Sequence, residues 1–124
     1  MSNLDPGHYL ALARELAESK SGEELFEAKQ RSAVSRAYYS VFLPARDNKC
    51  DPRAKHWQVS QVYGESSDRD SISFGNRLSE LHVQRCKADY DEMLDDPGYE
   101  AQSAIEEAEK LLQLLGKIAK KKPS

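Results

Sequence analysis

Apolar residues recur along this chain at steps of three and four, the spacing of one face of an α-helix. Tyr9, Leu12, Ala13, Leu16 and Ala17 share such a face. Asp5-Pro6 opens it, with an acceptor side chain as cap and proline at the first helical position. Ser21-Gly22-Glu23-Glu24 reads as a capping box that starts a long second helix over about 23–46, with Pro44 expected to kink or end its last turn. A connector is predicted at 47–53, then a short helix over about 54–63, and GESSDRDSIS reads as the most loop-like segment. A fourth helix is expected over about 72–94 and a fifth over about 99–119, the latter announced by a second Asp-Pro pair, Asp96-Pro97. In the fifth, Ala101, Ile105, Ala108, Leu112, Leu115 and Ala119 advance by 4-3-4-3-4, the seam of a bundle.

No internal repeat, low-complexity segment or domain boundary breaks this pattern. One domain over residues 1–124 is expected, an all-α, up-and-down antiparallel bundle of four to five helices. Only 6 glycines and 5 prolines leave few places to turn the chain, which fits long helices. With 39% hydrophobic and 31% charged residues, the chain can bury one modest core beneath solvated helical faces.

The second helix holds the oddest stretch. Ala33 to Leu43 is apolar or small nearly all the way round, as in a helix packed on several sides, so this helix is expected to be the most buried. Arg36 is the only charge there, and a guanidinium placed inside needs a carboxylate or a bound anion. On the fourth helix, at about 100° per residue, Phe74, Leu78, Leu81, Arg85 and Ala88 fall on one stripe, with Asp89 one turn beyond Arg85. Two arrangements fit. Arg36, Arg85 and Asp89 form a hydrogen-bonded network that fixes helix register, with Tyr38 or Tyr39 donating to it. Alternatively the two arginines line a pocket that grips a phosphate beside a reactive polar group.

Charge and absent motifs narrow the classes. A net charge of −3 rules out a chain that binds nucleic acid through its whole surface. The basic end, Lys117 and Lys120 to Lys122, either complements the last helix dipole or touches phosphate. No apolar run approaches the roughly 20 residues that span a bilayer, and MSNLDPGHYLALAREL lacks the basic start and apolar stretch of a signal peptide. The cytosol is therefore the expected compartment, with no membrane partner. Cys50 and Cys86 are isolated, with no CxxC and no clustered histidines, and are read as plain thiols without a zinc site. There is no Gly-rich phosphate loop, no Ser-His-Asp set and no HExxH, so no cofactor or metal is expected.

RSAVSRAYYSVF (31–42) and LSELHVQRCKADYDEML (78–94) together resemble the HEPN family, in particular its bacterial and archaeal branch whose fourth-helix signature runs Arg, three residues, Asp, Tyr. The resemblance covers the second helix through the last. It implies a four- or five-helix bundle that dimerises, kinship with toxin ribonucleases, and kinship with domains encoded beside small nucleotidyltransferases. The family's ribonucleases carry an arginine, four to six residues and then a histidine, two copies of which meet across the dimer. Arg85 takes the arginine's place, whereas Tyr90 stands where the histidine would be. That is a departure at the proton-transfer position, since a phenol does not titrate near neutral pH.

His82, three residues before Arg85, is placed to approach the same pocket, and His56 lies beside Trp57; each also reads as a partly exposed surface or interface histidine, and His8 as incidental. Tyr90 points about 140° away from Arg85 on an ideal helix. The two are therefore expected to share a site only through a bend or a second subunit. The expected function is that of a HEPN-like protein directed at RNA, as a metal-independent endoribonuclease or RNA binder in a toxin–antitoxin or phage-defence setting. Arg85, Tyr90 and His82 would be catalytic, and Arg36, Asp89 and Tyr39 would bind phosphate or ligand. The alternative is a non-catalytic module that forms a homodimer, or docks in a hetero-complex on an enzyme such as a nucleotidyltransferase.

Overall fold

In the computed structural model, which describes residues 5–19 and 22–121, three helices start on an aspartate side chain. The helices are α1 (Pro6–Glu18), α2 (Glu23–Lys49), α3 (His56–Gly64), α4 (Arg69–Tyr90) and α5 (Pro97–Lys120), with no strand among the described residues. Asp5 accepts from the Gly7 amide at 2.9 Å, Asp68 from Ser71 at 3.1 Å and Asp96 from Tyr99 at 3.0 Å. Each satisfies one of the orphan amides of a first turn. Both Asp-Pro pairs thus act as expected. Ser21, the expected cap of α2, lies outside the described residues.

Three boundaries differ from the expected ones. Helix α2 continues through Pro44 to Lys49. Proline removes one amide donor from the ladder, but Val41, Phe42 and Ala45 around it are buried and hold the turn in place. The connector is accordingly 50–55. Helix α4 begins within the segment read as loop, because Asp68 caps it. It also stops at Tyr90 rather than near Leu94. There the Arg31 guanidinium reaches across from α2 and donates to the carbonyls of Ala88 (2.9 Å), Asp91 (2.6 Å) and Glu92 (3.3 Å). Carbonyls that a longer helix would have used are taken by a cation.

Residue pairings give the directions. Gln30 donates to the Ala17 carbonyl while Tyr39 meets Tyr9, so α1 and α2 are antiparallel. Arg31 meets Ala88 and Tyr38 meets His82, so α2 and α4 are antiparallel. Arg77 pairs with Glu107 and Gln84 with Glu100, so α4 and α5 are antiparallel. These four long helices make the expected up-and-down bundle. Helix α3 is an addition laid against α2 and α4, and it runs parallel to α2: Tyr38 bonds His56, and Tyr63 bonds the Ala45 carbonyl.

Helix α2 touches every other helix, and its Val34, Ala37 and Val41 are fully buried, as expected. The α5 seam is corrected in its second half. Leu111 and Ile118 are buried, while Leu112 is half-buried and Ala119 exposed. A helix of 3.6 residues per turn drifts off a strict 4-3 alternation. Lys121 is not a loose tail: its ammonium sits 2.8 Å from both Asp68 and Asp70, tying the end of α5 to the start of α4. Lys122 lies outside the described residues. Cys50 and Cys86 are free thiols, and no described helix is long and apolar enough to cross a membrane.

Candidate functional site

The site forms where α2, α3 and α4 meet. On α4, His82, Arg85, Cys86 and Asp89 occupy positions i, i+3, i+4 and i+7 and so share a face. On α2, Tyr38, Tyr39 and Phe42 face them, and the first turn of α3 inserts His56 between the two. What brings α3 so close is Gly75: a methyl group there would stand 2.6 Å from the Ser60 carbonyl oxygen and 2.7 Å from the Gly64 amide nitrogen. Only a residue without Cβ lets the two backbones approach to this distance.

The imidazoles of His56 and His82 are stacked, 4.6 Å between centres and 11° between planes. Buried Tyr38 lies against both, and its hydroxyl is 2.6 Å from His56 Nδ1. Burial, followed by the neighbouring Tyr39, drives the Tyr38 pKa well above the usual phenol range, so the hydroxyl keeps its proton and can donate a hydrogen bond to Nδ1. With that donation, the ring proton of a neutral His56 lies on Nε2. Both histidines titrate below their ordinary range. For His56 the causes are burial, then the His82 ring, then the Arg85 charge; for His82 they are burial and then Arg85. Both imidazoles are therefore neutral at pH 7. His82 Nε2 also contacts Cys86 Sγ at 3.5 Å.

Arg85 forms the expected pair with Asp89, Nε to Oδ2 2.9 Å, with the side chains 14% and 23% exposed. The Nε–H is not aligned on the oxygen, so this is a close ion pair rather than a well-formed hydrogen bond. The guanidinium lies between two rings, 5.3 Å from the centre of Tyr39 and 5.7 Å from that of Tyr90. One chain therefore brings Arg85 and Tyr90 together without a second subunit. The ideal-helix angle describes Cβ directions, and a long arginine side chain spans the difference. Arg36 is corrected too. It is half-buried and lies 5.6 Å above the Tyr9 ring, outside the Arg85–Asp89 pair. Ser35, its neighbour, reaches Asp89 at 3.5 Å instead.

A pocket of about 610 Å³ opens beside the stacked histidines. Tyr39, Phe42, His56 and His82 form its inner wall, and Trp57 stands at its rim, 62% exposed. Arg46, Arg53 and Lys55 are its charged lining groups, and among the described residues no carboxylate joins them. The run from Arg46 to Trp57 is basic in an acidic chain, a legible signal in a stretch whose residues 47–53 were read as a connector and 54–63 as a short helix. Neither Arg36, Arg85, Asp89 nor Tyr90 lines this pocket, so Tyr39 and His82 are the expected site residues found at it. Among the described residues no group of three or more His, Cys, Asp or Glu side chains is placed to hold a metal ion. The fold and site thus define a helical bundle with a cationic, histidine-walled pocket. No protein-family model, curated protein or solved structure matches the chain.

Proposed function

We propose that the chain is a HEPN-like endoribonuclease whose proton transfer has moved from the family's histidine position, here Tyr90, to His82. One observation carries the reading: two stacked imidazoles wall a pocket whose charged lining groups, among the described residues, are all cations. RNA supplies its own nucleophile, so cleavage needs a base, a proton for the leaving oxygen and positive charge on the phosphate. His82, held neutral, takes the proton of a 2′-hydroxyl. That oxygen bonds to the adjacent phosphorus, and the bond from phosphorus to the 5′ oxygen breaks. The leaving oxygen takes a proton from water at the open mouth of the pocket, and the product ends in a 2′,3′-cyclic phosphate. The Nε2–H of His56, set by Tyr38, donates to a phosphoryl oxygen. Arg85 adds positive charge behind the Tyr39 ring, and Asp89 holds it there.

Cleavage of a fluorescent single-stranded RNA in the presence of a chelator tests this. His82→Gln should lower the rate by a factor on the order of 10² to 10⁴, the usual contribution of a general base, with the melt retained. Equal rates for wild type and His82→Gln would refute it. A protein-docking role is the second reading. It rests on Tyr90, Met93 and Tyr99, which are 72%, 83% and 64% exposed around the α4–α5 connector. Sedimentation at micromolar concentration distinguishes a homodimer joined through that patch from a monomer. Met93→Lys should abolish such a dimer.

A further inference from the structure

Trp57 and the cations beside it have no part in the proton transfer just described, yet Trp57, Arg53 and Lys55 are among the exposed residues of the pocket. The indole sits in the first turn of α3, largely in water, whereas Phe42, which also lines the pocket, is buried. Arg46, Arg53 and Lys55 stand around the same opening. Their acidic neighbours do not enter it: Asp47 pairs with Arg46 at 3.2 Å and Asp51 with Arg53 at 3.4 Å, both outside the lining. With Lys55 in no ion pair among the described residues and an aromatic face beside it, the lining suits an occupant that combines negative charge with a flat apolar face. The cavity, about 610 Å³, lies in the range that holds one small organic molecule.

We infer that this pocket grips a single unpaired nucleotide, its base stacked on Trp57 and its phosphate held by Arg46, Arg53 and Lys55. The inference rests on the proposed ribonuclease site and names the substrate class for it: single-stranded nucleic acid. A paired base is already stacked on both faces and cannot lie on an indole without leaving its helix. Single-stranded binding grooves combine the same two elements, an aromatic platform and cations along the backbone. Trp57 is held by a short device. Asp51 accepts from the Arg53 amide at 2.7 Å to turn the chain after α2, and the Lys55 amide donates to Gln58 at 2.7 Å to begin α3. The platform is thus fixed to the same turn that places His56 on His82.

Trp57 is the chain's only tryptophan, so its fluorescence reports the pocket directly. The probes are adenosine monophosphate, adenosine, inorganic phosphate, and a 2′-deoxyoligonucleotide in single-stranded and duplex form. None of them contains an internucleotide bond beside a 2′-hydroxyl, so binding is read without cleavage. The nucleotide should quench saturably and at least tenfold more tightly than adenosine or phosphate, and the single strand more tightly than the duplex. Arg53→Glu with Lys55→Glu should weaken binding at least tenfold while leaving the melt unchanged, since both side chains are exposed. Absence of quenching, equal affinity for phosphate alone, or equal affinity for the duplex would each overturn the inference. Quenching retained by a protein that cuts no RNA sinks the ribonuclease reading alone. Cleavage without quenching sinks this one alone.

Discussion

Replacing Gly75 by alanine is the sharpest structural test, because one methyl group separates α3 from α4. The added carbon would stand 2.6 Å from the Ser60 oxygen, 2.7 Å from the Gly64 nitrogen and 3.1 Å from Tyr63 Cβ. A carbon-to-oxygen contact settles at about 3.3 Å, so α3 must retreat by roughly 0.7 Å. The first two atoms are backbone, so no rotamer change relieves the clash. Overpacking of this kind costs about 1–3 kcal/mol, offset by up to about 1 kcal/mol of helix propensity gained from glycine to alanine. The expected net loss is about 1–2 kcal/mol, a melting temperature lower by about 4–8 °C for a chain of this size. The same retreat loosens the stacked pair, so the imidazole NMR signals of His56 and His82 should move. Gly75→Ala melting at or above the wild type, with those signals unmoved, would refute the reasoning.

Tyr38→Phe removes a buried hydroxyl and should cost about 1 kcal/mol; ¹⁵N shifts of His56 should show the proton no longer confined to Nε2. The lowered pKa values of His56 and His82 predict a pH effect on stability. The unfolded chain takes up these protons near the ordinary value of 6.5, and the folded chain only below it. Stability from these groups is therefore full above about pH 6.5 and lost as pH falls toward the lowered folded values. Urea titrations from pH 7.5 to 5 should show this decline, and a double His56→Gln, His82→Gln variant should show less of it. Arg31→Met removes three bonds to the end of α4 and should destabilise by about 1.5–3 kcal/mol. A melt within 2 °C of wild type, roughly half a kcal/mol here, would contradict the role given to Arg31.

Local signals were legible and distant ones were not. The Asp-Pro pairs, the apolar run of α2 and the Arg85–Asp89 pair each depend on residues within one or two helical turns, and all appear where expected. The end of α4 depends on Arg31, 57 to 61 residues away in sequence, which no local pattern reveals. The apolar neighbours of Arg36 raised the expectation that, if inside, it would meet a carboxylate or a bound anion. Its side chain instead escapes along α1 to Tyr9, a contact that depends on how α1 packs. His56, beside Trp57, read as a partly exposed surface or interface histidine. Its place against His82 is set by the turn at 50–55 and by Gly75, on two other segments.

The most direct measurement uses a DNA oligonucleotide carrying one ribonucleotide, incubated with the protein and excess chelator, with the products identified by mass spectrometry. A cut at the ribonucleotide that leaves a 2′,3′-cyclic phosphate, abolished by His82→Gln, is the predicted result. An uncut oligonucleotide, a product ending in 3′-hydroxyl, or equal cutting of an all-DNA control would contradict the proposal that His82 activates a 2′-hydroxyl at this pocket.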